Sequence, residues 1–124
     1  GLLYNGYCRD YLNSICPSGW RITNNSDFNY IKDFVGENNG QKLKTIDYWP
    51  TPGNNELRFS APPSSCTDTG NSWFFNDDFC YIQGSITNSM IGLLAINDNN
   101  TIVVYTRGSS MWISLPVRFC KDAE

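Results

Sequence analysis

Apolar residues recur with a helical period near the start of the chain and with a strand period near its end. Residues 4–13 place Tyr4, Cys8, Tyr11 and Leu12 on one side of a short helix, which Gly6 weakens. Cys16-Pro17-Ser18-Gly19-Trp20 has Pro-x-Gly turn chemistry, and Trp20 and Ile22 then form one buried face of a short strand. The clearest helix spans residues 25–35. Asn24 is a good N-cap, and Asp27 stands where its carboxylate can reach back to the cap N–H. Phe28, Ile31 and Val35 follow at i, i+3 and i+7 with Phe34 beside them, and Gly36 is placed to end the helix in the left-handed region.

Glu37-Asn38-Asn39-Gly40 is a polar loop. In residues 41–64, Pro50, Pro52, Gly53, Pro62 and Pro63 forbid long regular elements, so an ordered loop held by its aromatics is predicted, with Phe59 as anchor. From Trp73 onwards the pattern is β. Phe79–Ile82, Ile91–Ile96, Thr101–Thr106 and Pro116–Cys120 read as strands, with Asn97-Asp98-Asn99-Asn100 as a hairpin loop and Arg107-Gly108-Ser109-Ser110 as a further turn. Helices first and an antiparallel sheet last is an α+β order, and 124 residues make one domain.

Composition narrows the function. With 40% hydrophobic and 15% aromatic residues the chain can build a core. A net charge of −3 argues against nucleic acid as a partner, which needs clustered Lys and Arg. No apolar run is long enough to insert in a membrane as a helix. The opening Gly1-Leu2-Leu3-Tyr4 lacks Met, as after removal of a leader. The absence of His excludes Ser-His-Asp and Cys-His catalysis and His-ligated zinc. Asn, Ser and Thr together contribute 35 residues, so most of the polar surface is neutral hydrogen-bonding groups, suited to neutral polar partners such as glycans.

Five cysteines (Cys8, Cys16, Cys66, Cys80 and Cys120) without a C-x-x-C pair suggest an oxidising compartment, hence a secreted or surface location. Spacing alone chooses no pairing. A Cys16–Cys120 bridge would tie the two ends together and contribute about 4–5 kcal/mol by chain entropy. A Cys66–Cys80 bridge would staple a loop for about 3 kcal/mol. Cys8 then remains, read as a small buried hydrophobe on the first helix.

Several segments together resemble the Fibrobacter succinogenes major paralogous domain family. They are Leu3-Tyr4-Asn5, Cys16-Pro17-Ser18-Gly19-Trp20-Arg21-Ile22, Ser26-Asp27-Phe28, Gly36, Gln41-Lys42-Leu43-Lys44, Tyr48-Trp49, Phe59-Ser60-Ala61-Pro62-Pro63 and Pro116-Val117-Arg118-Phe119-Cys120-Lys121-Asp122. They span almost the whole chain in the family's order. Arg21 stands where the family has His, the family's Trp-rich strand is reduced to Phe79-Cys80-Tyr81-Ile82-Gln83-Gly84-Ser85, and the family's first strand would precede Leu3. The resemblance implies a C-type lectin-like fold with two helices, a small twisted sheet joining the termini and a ligand-bearing loop region. It favours the Cys16–Cys120 bridge. It also implies a binding module on an exported bacterial protein, not an enzyme. Domains of this type serve as pilus-tip or surface adhesins, some diversified by retroelements that randomise Asn codons. The alternatives are a carbohydrate-binding accessory domain and a purely structural domain.

On that resemblance the ligand face is expected at residues 53–58 and 71–88 plus two strand residues. The candidates are Asn54, Asn55, Trp73, Asn76, Asp77, Asp78, Tyr81, Asn88, Tyr105 and Arg107, with Trp73 as an aromatic platform among polar neighbours. Trp20, Trp49 and Trp112 read as core, and the scaffold includes Val117 and Phe119. Asn76-Asp77-Asp78 and Asn97-Asp98-Asn99 offer oxygen ligands without calcium-loop spacing, so neither a metal nor another cofactor is expected. Adjacent Asp77 and Asp78 would point to opposite faces of a strand and make a poor glycosidase pair.

Overall fold

The computed structural model describes residues 3–67, 73–75, 78–108 and 114–122, with 65–67 and 73–75 described by their backbone alone. The chain is α+β. In order it forms α1 (Gly6–Ile15), β1 (Trp20–Ile22), α2 (Asn25–Val35), a 3-10 turn (Gly40–Lys42), β2 (Ser65–Thr67), β3 (Trp73–Phe75), β4 (Phe79–Thr87), β5 (Met90–Asn97), β6 (Ile102–Gly108) and β7 (Phe119–Lys121). The described strands pair antiparallel: β4-β5-β6 is the main sheet, and β1–β7 and β2–β3 are two-stranded ribbons, with isolated parallel bridges at Lys44–Ala61 and Gln83–Val117. The expected Trp112 core position lies outside the described residues.

The main sheet organises the rest. Ile91 to Ile96 of β5 are buried without interruption, so this central strand is covered on both faces. Cross-strand register assigns the faces. Cys80, Ile82, Leu94, Ile96, Ile102 and Val104 share the first face and pack with Phe28 and Val35 of α2, with Ile31, and with Leu43, Trp49, Phe59 and Ala61 of the long loop. On the second face, Ile91 and Leu93 pack with Leu115, Tyr81 and Ile86.

Helix α2 forms as its sequence predicts. Asn24 Oδ1 accepts from Asp27 N at 3.1 Å while Asp27 Oδ2 accepts from Asn24 N at 2.8 Å, a reciprocal cap. Its outer residue Phe34 is exposed and stacks with Tyr30. Helix α1 inverts its expected face. Gly6 and Arg9 are buried, whereas Cys8 and Tyr11 are exposed, so Cys8 is not a core residue. The cause is Gln83 on the second sheet face. Arg9 Nη1 donates to Gln83 Oε1 at 3.1 Å, and Gln83 Nε2 donates to the carbonyls of Tyr4 and Leu115. A buried side chain with this many polar groups needs such partners, and they draw the charged side of α1 inward.

The two ends meet where β1 pairs with β7 and where Tyr4 bridges Leu115. Arg21 spans the junction, donating to both oxygens of Asp27 (2.6 and 2.9 Å) and to Asp122 (3.0 Å). Trp20 is 42% exposed and not a core residue, because it stands at the outer end of a three-residue ribbon with Lys121 over its ring. Phe119 on the opposite strand is exposed as well.

The expected bridges are not formed: Cys16, Cys80 and Cys120 are all free thiols. The β1–β7 register sets Cys120 opposite Arg21, and its thiol faces Asp27 at 3.7 Å. Cys16 turns instead into its own turn, donating to Trp20 O at 2.9 Å. Burial pushes the Cys80 thiol up to about 12, so it sits in the core as an inert hydrophobe without a bond to Cys66. The side chain of Cys66 lies outside the described residues.

Truncating the central helix residue, Phe28→Ala, should cost about 3–5 kcal/mol by leaving a cavity between α2 and the sheet, measured by urea unfolding. The hydrogen bonds from Arg21 hold the Asp27 carboxyl below its ordinary range. That stability is complete above the ordinary carboxylate range and is lost as pH falls through it towards the lowered folded value. Asp27→Asn should therefore destabilise the domain at neutral pH by about 1–2 kcal/mol, and the gap to the unaltered chain should narrow at acid pH, as the carboxylate is protonated. Chemical denaturation at neutral and acid pH checks this.

Candidate functional site

A β-bulge sets up a cleft on the first sheet face. Gln83 pairs with Leu93 but Ile86 pairs with Ile91, so β4 carries one extra residue around Gly84-Ser85. The freed Ser85 N–H donates to Thr23 O at 2.9 Å, pulling β4 towards the linker between β1 and α2. Gly84 allows this approach, since a Cβ there would stand 2.8 Å from Thr23 O. Beyond the bulge the sheet and the start of α2 diverge, leaving a cleft of about 450 Å³.

Thr87, Met90, Gly92 and Thr106 form the floor, Asn24, Asn25 and Ser26 the helical wall, and Ser85 and Asn88 the rim. Among the described residues this lining contains no Asp, Glu, Lys, Arg or Cys; apart from Met90 and Gly92 it is amide and hydroxyl side chains. Asn25 Oδ1 is buried without a hydrogen-bond partner and stands against Gly92, where a Cβ would come within 2.6 Å. An orphaned buried acceptor carries a desolvation penalty unless a donor reaches it. The N–H groups at the start of α2 have no acceptors within the helix. The positive end of the helix dipole is offset by Asp27 in the first turn, so the cleft matches neutral polar groups better than anions.

The sequence-predicted residues fall into three places. Tyr81, Tyr105 and Arg107 come together: their register puts all three on the second sheet face. Tyr81 stacks on Phe79 at 5.2 Å and is partly buried, whereas Tyr105 and Arg107 are exposed with Val103 on the same strand, β6. Burial raises the Tyr105 phenol and Arg107 opposes that shift. Asn88, in the β4–β5 turn with φ 52°, belongs to the cleft rim on the first face. Asn54 and Asn55 lie in the long loop, near the Asn97–Asn100 turn. An eight-residue strand separates that end of the hairpin from Asn88, about 25 Å of chain.

Asn54 Oδ1 accepts from Glu56 N, and Asn55 holds Ser60 by two hydrogen bonds, so both amides shape the loop. Asp78 is exposed in the turn before β4. Trp73 lies in β3 with its side chain outside the described residues, as do Asn76 and Asp77 altogether. Among the described residues, no group of three Asp, Glu or Cys side chains converges as a metal site.

Ser85 and Thr87 fall within the expected 71–88 ligand face, whereas Asn24, Asn25, Ser26, Met90, Gly92 and Thr106 were not expected at a site. The signal for them was present: Gly84 and Gly92 inside strand patterns mark a bulge and a close approach. Comparison with known protein families, curated proteins and solved structures finds no match for this chain.

Gly92→Ala should force Asn25 away from the floor and cost about 1–3 kcal/mol. Adding Asn25→Gly should recover most of that loss, a non-additivity readable in a four-protein denaturation cycle.

Proposed function

We propose that this chain is a ligand-binding module of C-type lectin-like type, akin to the Fibrobacter succinogenes major paralogous domain, carried by an exported surface protein and binding a glycan in the cleft between α2 and the sheet. The observation that carries this reading is the lining itself. Seven neutral amide and hydroxyl side chains converge on one concavity, and Asn25 among them carries an acceptor oxygen, buried against Gly92, with no partner inside the protein. Sugar hydroxyls both donate and accept, and so match such a surface. Among the described residues no titratable group lines the cleft, which favours binding over acid–base chemistry. The two-helix α+β order and the β1–β7 ribbon joining the chain's ends support the lectin-like assignment.

A second reading rests on the other sheet face. Val103, Tyr105 and Arg107 are exposed side by side on β6, and this mix of aromatic, aliphatic and Arg side chains is typical of protein-binding surfaces. On that reading the module is an adhesin for a cell-surface protein.

Titration against a panel of neutral oligosaccharides separates the two. Asn25→Ala should weaken glycan binding by about 1–2 kcal/mol while leaving stability unchanged or raised, because the lost oxygen has no partner in the free protein. Tyr105→Ala should leave glycan affinity unchanged. Loss of ligand binding on Tyr105→Ala with no response to Asn25→Ala would replace the cleft by the β6 face.

A further inference from the structure

Lys44 is fully buried, and its surroundings resemble a reaction site more than a packing site. Its Nζ lies 2.9 Å from Asn100 Oδ1, 3.0 Å from Asp98 O and 3.9 Å from Asp98 Oδ1, with the Trp49 ring closing the far side at 4.6 Å. We propose that Lys44 Nζ and the side-chain carbonyl carbon of Asn100 are joined by an intramolecular amide bond that the folded chain makes for itself.

Three conditions for that bond meet here. The first is position. Lys44 N donates to Gly40 O, Asn100 N donates to Asn97 O, and Gly40 N donates to Asn100 O at 2.8 Å, so both backbones are held against each other. Gly40 permits the contact, since a Cβ there would stand 2.8 Å from the same oxygen. Holding amine and amide within reach removes most of the entropic barrier to their reaction. The second is shielding: Lys44 is 0% exposed and Asn100 is partly buried, so the amine is kept from water while it faces the amide.

The third is a proton acceptor. The Asp98 carboxylate is fixed beside the ammonium by hydrogen bonds from Thr51 N and Thr51 Oγ1. Burial also draws the Lys44 ammonium below the usual lysine range, although Asp98 opposes this, and the free amine is the nucleophile. Arg9, equally buried, has no such chemistry because a guanidinium keeps its proton.

The step balances without oxidant or cofactor. Asp98 takes one proton from the ammonium, the free amine attacks the Asn100 amide carbon, and a new C–N bond forms. The original C–N bond to the Asn100 amino group then breaks. The new amide keeps one of the three ammonium protons, and the other two leave with the amino group as ammonium. The product ties the long loop to the β5–β6 turn covalently.

Intact mass spectrometry of the unaltered full-length chain reads the outcome directly. The mass should fall below the sequence mass by one ammonia, and protease digestion should release a branched peptide joining the Lys44 and Asn100 segments. Asn100→Gly, which suits the local φ of 71°, and Lys44→Met should each restore the full sequence mass. An unaltered chain at its full sequence mass would overturn the proposal. So would an ammonia loss mapped to Asn5 or Asn39, each followed by Gly, with no branched peptide. A loss of water in place of ammonia would put the bond on Asp98 and overturn its assignment to Asn100.

Discussion

The fold depends on covering both faces of β5. Six consecutive buried residues, Ile91 to Ile96, make this strand apolar on both sides, and a three-stranded sheet shields neither face by itself. Helix α2 and the long loop close one side through Phe28, Val35, Leu43 and Trp49. The chain's two ends close part of the other through Leu115, Tyr4 and α1. Helix placement, the joining of the termini and the two candidate surfaces follow from how far each cover extends.

The covers are locked by buried and partly buried polar groups. Arg9 and Gln83 connect α1 to the sheet and to both terminal segments. Lys44 connects the long loop to the Asn97–Asn100 turn. Arg118 connects the C-terminal segment to Phe59 by its carbonyl and its ring. Arg9 and Lys44 are charges taken out of water with their partners supplied, and removing one partner of such a set is costly because the other stays buried; Arg118 is only partly buried. This gives a domain whose described cysteines are all free a set of specific cross-ties between segments distant in sequence.

Where the covers stop, the two surfaces differ in chemistry. On the α2 side, the bulge at Gly84-Ser85 and the bare floor at Gly92 hold the helix start close but leave space beside it, lined by neutral hydrogen-bonding groups. On the α1 side, the cover reaches Gln83 and Leu93 but leaves Val103, Tyr105 and Arg107 of β6 in solvent. Tyr81, Tyr105 and Arg107 were legible as a group because alternation on paired strands sends them to one face. The cleft was less legible: Asn24 and Asn25 read locally as capping chemistry, and the sheet opposite them is some sixty residues away in sequence.

The sequence by itself determined the elements whose causes are local. The Asn24–Asp27 cap and the Phe28, Ile31, Val35 spacing specify α2, and the apolar runs on either side of Asn97-Asp98-Asn99-Asn100 specify the β5–β6 hairpin. The absence of His and the abundance of Asn, Ser and Thr set the chemistry its surface offers. Tertiary structure alone decided what depends on partners far along the chain. The inner face of α1 turned on Gln83, and the exposure of Trp20 on the shortness of the β1–β7 ribbon. The facing of the Cys120 thiol to Asp27 turned on the β1–β7 register, whereas Cys16 bonds within its own turn. The burial of Lys44 turned on a carbonyl and an amide more than fifty residues away. Local propensity is encoded in neighbouring residues, whereas the burial of a polar side chain is decided only when distant segments bring its partners to it.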